Sequence, residues 1–377
     1  MPGAITKMLA FFISWLVLIS PIVPGAALGQ TDWKKEWEKT LAAAKAEGQI
    51  TVYASTYERV LESFKTEYPE IKLTSVGGRS SDVATRIIAE RRAGKYLADV
   101  VAVGSNTSFN VLYRAKALDP LKSTLILPEV LDQSKWLGGE HPFIDPERQY
   151  IFVYLSNPSS VFDYNSNLVS PSEFKSYWDV VSPKWKGKIV SLTPTSTTMG
   201  STLQFLYYHP ELGQEFLKKF FGSMDVTFSA DPRQMMDWLA QGRFAICLGC
   251  RNNEIARAKK QGLPVDSLDT SAWKEGGRIS LSGSLSLANK APHPNAAKIF
   301  INWYLSRNGQ IAVQKEGTSD EGVNSRRIDI PKDDVDPAYR LVEGRRYFDV
   351  SRPEWQDLTP VFDFVKKAAA MKDQKTK

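Results

Sequence analysis

Residues 50–107 read ITVYASTYERVLESFKTEYPEIKLTSVGGRSSDVATRIIAERRAGKYLADVVAVGSNT. Three short apolar segments in this stretch, at 50–54, 71–75 and 100–103, have the length and composition of buried strands. A small polar turn and an amphipathic helical pattern follow each of them. Strand, turn and helix repeated three times predict a mainly parallel β-sheet whose faces are covered by helices.

The same α/β pattern extends in both directions from this stretch. Upstream, residues 31–47 carry Trp33, Trp37 and Leu41 at helical spacing, and Gly48 ends that helix. Downstream, the alternation of predicted strands and helices changes near residue 155, and a second α/β unit begins at about residue 171. Its predicted elements are strands at 189–192 and 244–248, helices at 212–221, 232–241 and 253–260, then a strand at 284–287 and helices at 295–305 and 308–316.

The composition is that of a globular protein large enough for two domains. The chain has 377 residues, of which 42% are hydrophobic, so disorder is excluded. The 48 Lys and Arg exceed the 42 Asp and Glu, but both signs are interspersed along the chain. Nucleic-acid binding needs a concentrated basic surface, so we expect no nucleic-acid partner.

Residues 1–29 have the layout of a secretory signal peptide. Lys7 precedes an apolar run at 8–23, and small residues follow at 25–29. A retained membrane anchor is the alternative, because the run approaches the ~20 residues that span a bilayer. Pro21 and Pro24 would interrupt such a helix. We therefore expect cleavage near Gly29 and Gln30 and a periplasmic product.

Hydroxyl side chains recur in the turns between predicted strands and helices. They are Ser55, Thr56, Ser80, Ser81, Ser105, Ser196, Thr197 and Thr198. Ligands bind at the carboxyl edge of open parallel sheets, and helix N-termini attract anions. The alternative is that each hydroxyl only caps its own helix. Because the pattern recurs in four turns, and because Arg79 and Arg251 lie in or near such turns, we expect these residues to form one anion-binding cleft.

Motifs for catalysis and metal binding are absent from the sequence. It contains no GxSxG, HExxH, P-loop or GxGxxG, and its three His lack the spacing of metal ligands. We predict no enzymatic activity, no cofactor and no metal site. An exported enzyme is the alternative, and it would need a nucleophile and a base that converge.

The two cysteines, Cys247 and Cys250, stand together in the sequence CLGC. In an oxidising compartment this spacing is compatible with a small-loop disulfide. Two inert thiols are an alternative, and redox or metal chemistry is another.

The ordered segments resemble the periplasmic solute-binding proteins of ABC transporters, in the branch related to the ferric-iron binders. The resemblance covers essentially the whole mature chain, and its most specific part is WDVVSPKWKGKI at 178–189. The other matching segments are 89–101, Tyr164 with Asn165, 242–245, 294–298 and 305–310.

The resemblance implies two α/β lobes that close on a solute and present it to membrane permease subunits. By analogy, one lobe comprises 30–154 with 281–322, and the other comprises 155–280 with 323–377. The resemblance gives no reason to expect an oligomer, so a monomer is predicted.

The departure from the ferric branch concerns the ligand. Those proteins hold iron with adjacent tyrosines shortly before a helix, whereas the corresponding segment here, 247–253, reads CLGCRNN. Tyr207 and Tyr208 are adjacent but lie inside a predicted helix, so we expect them to be packing residues. An Arg at 251 would repel a metal ion and attract a carboxylate or a phosphate. We therefore expect a small anionic solute, with ferric iron or another metal as the alternative.

Overall fold

The computed structural model describes residues 28–55, 58–196, 199–250, 252–281, 283–316, 324–335 and 337–374. The fold is mixed α/β and two-lobed, with a large sheet in each lobe and a small sheet made by the connecting strands. In these residues no helix is both long enough and apolar enough to cross a membrane.

The first lobe contains a six-stranded sheet. Its strands are β1 (Gln49–Ala54), β2 (Lys72–Gly77), β3 (Val100–Gly104), β4 (Leu118–Asp119), β5 (Phe152–Val153) and β13 (Gly283–Ala288). The order is β2-β1-β3-β13-β4, and β5 also pairs with β13. β1 is parallel to both β2 and β3, as the repeats predicted. β13 is antiparallel to β3.

Helices cover both faces of this sheet. They are α1 (Leu28–Glu47), α2 (Glu58–Glu67), α3 (Ser80–Arg92), α4 (Ser105–Thr107) continuing as a π-helix (Ser108–Tyr113), α5 (Pro128–Leu131), α11 (Pro294–Leu305) and α12 (Arg307–Glu316). Val52 packs in the core beneath α2 and α11. Its neighbour Tyr53 lies in a second core, beneath α3. Both faces of β1 are thus buried, as expected for a parallel strand covered on each side.

The second lobe contains a five-stranded sheet in the order β11-β7-β10-β8-β9. Its strands are β7 (Phe162–Asn165), β8 (Ile189–Leu192), β9 (Thr227–Ser229), β10 (Ile246–Leu248) and β11 (Val265–Ser267). The helices are α6 (Tyr177–Val180), α7 (Gly200–Tyr208), α8 (Gly213–Ser223), α9 (Pro232–Ala240), α10 (Asn252–Lys260) and α13 (Thr359–Gln374). β8 has its predicted bounds. After β8 the Ser196 N–H donates to the Thr193 carbonyl at 2.9 Å in a turn, and α7 begins at Gly200.

Connecting strands form the third sheet. β6 (Ser156–Ser159) lies between β5 and β7 in the chain, β12 (Gly277–Leu281) lies between β11 and β13, and β14 (Tyr347–Asp349) pairs with β12. Residues 324–329 return to the first lobe, where the buried Arg327 donates to the Leu305 carbonyl at 3.0 Å. The following α13 packs in the second-lobe core.

Candidate functional site

The turns at the carboxyl edge of the first sheet are hydrogen-bonded to one another. The Ser80 hydroxyl, after β2, donates to the Ser55 hydroxyl, after β1, at 3.1 Å. The Gly104 N–H, at the end of β3, donates to the same Ser80 oxygen at 3.1 Å. Ser105 follows directly and is buried. The structure therefore brings Ser55, Ser80 and Ser105 together, and the Ser80 hydroxyl links the three turns.

Helices at this edge begin without side-chain caps. Arg79 occupies the N-cap of α3 and Gly104 that of α4, and neither can cap its helix, because a guanidinium group only donates and glycine has no side chain. Met199 precedes α7 in the second lobe, again without a side-chain cap. By contrast, Asp231 caps α9 by accepting from the N–H groups of two following residues. The N-termini of α3 and α7 thus direct backbone N–H groups and a positive dipole end towards the edge.

The turns of the second lobe are also joined. The Thr193 N–H, after β8, donates to the Ser229 carbonyl at 2.9 Å. Ser229 in turn holds the start of α9, because its hydroxyl donates to Gln234 at 2.9 Å. Ser196 lies in the turn after β8, three residues before Met199, whose N–H donates to the Ser196 carbonyl.

A disulfide closes the turn after β10. The sulfur atoms of Cys247 and Cys250 are bonded at 1.98 Å, and both residues are buried. Between them Gly249 has a φ of +85° and packs so tightly that a Cβ there would lie 2.5 Å from the Met199 sulfur. The turn after β10 is therefore packed against the residue that precedes α7.

Arg79 does not join this polar group. Its side chain is 86% exposed, and its Nε atom donates to the Asp82 carboxylate at 3.0 Å on the surface of α3. Ser81 also points to Asp82, with its hydroxyl 3.2 Å from a carboxylate oxygen. The remaining predicted site residues, Thr56, Thr197, Thr198 and Arg251, lie outside the described residues.

The two lobes contact each other beside these turns. A Cβ at Gly200, the first residue of α7, would lie 3.9 Å from Nδ2 of Asn106 in α4. Arg114, just after the π-helix, donates to Asp357 of the second lobe at 3.1 Å. No interlobe contact was predicted from the sequence for any of these four residues. Asn106 could have been found, because it follows Ser105 in a turn that the sequence analysis already singled out. Arg114 could not, because nothing in the local sequence links it to a partner 243 residues away.

We expect Arg114→Ala to favour the open arrangement of the lobes. The pair is half exposed, with 46% and 54% of the two side chains accessible, so it contributes about 0.2–1 kcal/mol. The open population should rise roughly 1.4- to 5-fold. Hydrogen bonding to Thr359 and the contact with Arg114 lower the pKa of Asp357, so the pair is charged at neutral pH and is lost only as the pH falls through that lowered value.

Single-molecule energy transfer between dyes on the two lobes measures this population. Arg148→Ala is the matched control, because Arg148 pairs with Glu140 at similar exposure within the first lobe. An equal shift in the control, or none in Arg114→Ala, would show that the Arg114 pair does not hold the lobes together.

The arrangement of two lobes with facing polar edges agrees with a comparison against protein families. The family described as bacterial extracellular solute-binding protein matches residues 59–320. The chain belongs to this family. Proteins of this family bind small solutes and serve ABC import systems, together with permease components in the membrane. No curated relative matches this solute-binding protein.

Solved structures share the fold of this solute-binding protein. Iron-bound HitA from Pseudomonas aeruginosa has a TM-score of 0.58 at 16% identity, covering 85% of this chain and 99% of its own. Trichodesmium FutA in complex with iron and citrate has a TM-score of 0.62 at 19% identity, covering 87% and 99%. AfuA from Actinobacillus pleuropneumoniae, with fructose-6-phosphate bound, has a TM-score of 0.55 at 16% identity, covering 86% and 99%. At these identities the likeness shows the fold alone.

The adjacent tyrosines of this solute-binding protein are packing residues, as predicted. Tyr207 and Tyr208 lie in α7, where Tyr207 contacts Phe364 and Tyr208 stacks on Trp355. Burial raises the pKa of Tyr208, which disfavours the phenolate form that binds iron. Within the described part of the chain, no three His, Cys, Asp or Glu side chains are grouped as metal ligands.

Proposed function

We propose that this protein captures a small anionic solute, a carboxylate or a phosphoryl or phosphonate compound, between its lobes and delivers it to permease subunits. The observation that carries the proposal is the pair of helices, α3 and α7, that begin at adjoining lobe edges, each after a described N-cap residue whose side chain does not cap it. Uncapped helix N-termini bind anions through backbone N–H groups and the helix dipole. Closure of the lobes would bring both sets of donors onto one solute.

Arg251 is proposed to pair with the charge of the solute. In the sequence it follows the disulfide-bonded turn directly and precedes α10. A guanidinium group matches carboxylate and phosphate in two-pronged pairing, which a single hydroxyl does not. Arg79 is a weaker candidate, because Asp82 already neutralises it.

The predicted division of the chain remains a proposal, with one change. We place 30–154 and 281–322 in the first lobe and 155–280 in the second. The contacts of Arg327 with Leu305 and of Lys332 with Ser325 favour a return to the second lobe after about residue 332 rather than at 323. Cleavage near Gly29 and Gln30, a periplasmic location and a monomeric state are proposed as well.

Calorimetry of the purified mature protein tests the proposal. We expect binding of one or more of a panel of small acids, including succinate, phosphonoacetate and a sugar phosphate, with no binding of the neutral sugar and no turnover of the ligand. Arg251→Ala should weaken the best acid by about 1.5–3 kcal/mol, or roughly 10- to 150-fold. Arg257→Ala, at an exposed position of α10, is the matched control.

Two results would contradict this account. Failure of every acid, together with tight ferric binding and a visible charge-transfer band, would replace the anion with iron. Unchanged affinity in Arg251→Ala would remove Arg251 from the site.

A further inference from the structure

A cavity of about 400 Å³ lies on the second lobe, next to the connecting strands. It is bordered by β6, β12, the middle and C-terminal part of α10, β11 with the segment that follows it, and part of the segment 337–347. Neither the strands of the first sheet nor the described residues of the interlobe turns line it. Its volume is in the range of small-molecule sites. The residues that line this cavity are therefore different from those of the turns that form the cleft of the proposed function.

Arg278 of β12 lines this cavity and is only 6% exposed. Its Nη1 atom donates to the Ser201 hydroxyl at 3.0 Å, and its Nη2 atom donates to the Ser159 hydroxyl at 2.7 Å. Its Nε atom is buried and has no hydrogen-bond partner within the described residues. Both close partners are neutral hydroxyls, so the contacts of this guanidinium supply no compensating negative charge.

A buried charge without a counterion is costly, because water no longer solvates it. Asp163 is a buried acid whose charge acts on Arg278, and its carboxylate accepts from the Ser267 hydroxyl at 2.6 Å. Burial raises the pKa of Asp163 to about 7, so at neutral pH it is only partly ionised. Burial likewise lowers the pKa of Arg278, to about 10, which still leaves Arg278 charged. Asp163 is thus an incomplete counterion.

The other charged groups of the cavity wall have ionic or hydrogen-bonding partners. Lys259 pairs with Asp266 at 2.7 Å. Asp269 accepts from the Ser271 N–H at 3.1 Å. Arg340 donates to the Val335 carbonyl at 2.8 Å. Within the described residues, Arg278 is therefore the cation of this wall that retains an unused buried donor.

The rest of the lining sets the character of the ligand. Ile255 and Leu268 are buried apolar residues on one side of the cavity, and Val342 is an apolar residue of another lining segment. Ser160 and Thr270 add hydroxyl groups. We propose that this cavity is a second ligand site, which takes a small organic anion whose carboxylate or phosphate monoester pairs with Arg278 and whose apolar body contacts Ile255 and Leu268. The proposal does not depend on what binds in the cleft.

Titration calorimetry of the mature protein with phenyl phosphate and with benzoate tests this site. Inorganic phosphate serves as the comparison ligand, because it has the charge but no apolar group. We expect at least one organic probe to bind, and Arg278→Met to weaken it at least 10-fold, with partial recovery in Arg278→Lys, which keeps the charge. Ala256→Trp fills the exposed mouth of the cavity, leaves Arg278 in place, and should weaken binding as much. Arg233→Met, at an exposed position of α9, and Gln261→Trp, just after α10, should stay within about twofold of the wild type.

The outcomes separate this site from the cleft. Loss of binding in Ala256→Trp with retention in Arg251→Ala supports the cavity site, whether or not a cleft solute is found. Loss in Arg251→Ala with retention in Ala256→Trp places the probe in the cleft and overturns the cavity site, leaving the proposed function intact. No binding up to about 1 mM overturns it as well. Inorganic phosphate binding as tightly as phenyl phosphate would overturn the assignment of an organic ligand. If the Arg278→Met variant does not fold, the binding measured for the Ala256→Trp variant decides whether the cavity is the site.

Discussion

Replacing Gly309 by Ala is expected to lower the free energy of unfolding by about 3 kcal/mol, at the upper end for an overpacked site. Gly309 lies in the first turn of α12, where this helix crosses the end of α11. A Cβ there would lie 1.9 Å from the Trp303 carbonyl oxygen and 2.8 Å from that of Tyr304. Both atoms belong to the backbone, so they cannot rotate away as a side chain would. The two helices would have to separate.

Urea denaturation followed by circular dichroism measures this effect. Asn308→Ala, at the exposed neighbouring position of the same helix, is the matched control and should change stability by less than about 0.5 kcal/mol. A Gly309→Ala variant as stable as the control would mean that α11 and α12 do not approach as closely as described.

Gly249→Ala should also be strongly destabilising, and it should affect the site as well. The positive φ at this position costs about 1–2 kcal/mol for a residue with a Cβ. The new Cβ would also overlap the Met199 sulfur at 2.5 Å and press on Leu192 at 3.1 Å. Together these effects should lower the free energy of unfolding by about 2–4 kcal/mol. Because Met199 precedes α7, its displacement should weaken anion binding roughly 10-fold.

A second substitution separates the two causes. If overlap with Met199 matters, Gly249→Ala combined with Met199→Ala should be less destabilised than the sum of the single variants, by about 1 kcal/mol or more. Gly262→Ala is the matched control, because Gly262 also has a positive φ of 80° but has nothing within 4 Å of its added Cβ. It should show the backbone cost alone, with solute affinity unchanged. Strict additivity in the double variant, or equal loss of affinity in the control, would contradict this explanation.

The sequence predicted the elements of the fold better than their long-range contacts. The strand at 189–192 and the parallel pairing of β1 with β2 and with β3 follow from local periodicity and turns. Gly309 and Gln310 lie in a segment that matches the family, but the match did not show why these two residue types are needed there. Gln310 is fully buried and joins the Tyr304 carbonyl to the Ser325 hydroxyl, a contact between distant segments that no local pattern encodes.

For the described residues, the sequence indicated which turns of the first lobe lie together but not how their side chains are used. The hydroxyl turns do converge in the first lobe, yet Ser80 uses its hydroxyl to join neighbouring turns. Arg79 pairs with an acid three residues ahead, a spacing that the sequence already contained. Arg278 was missed, although a charged residue among the apolar and small residues of a strand, GRISL at 277–281, is a readable signal of a buried polar contact.

Native mass spectrometry of the protein purified from the cells that produce it tests directly whether it carries an anionic solute. The account predicts one co-purifying small acid, released on denaturation, unmodified by the protein, and strongly reduced in Arg251→Ala. Recovery of bound iron without an organic or phosphoryl acid, or of a neutral compound that survives Arg251→Ala, would contradict it.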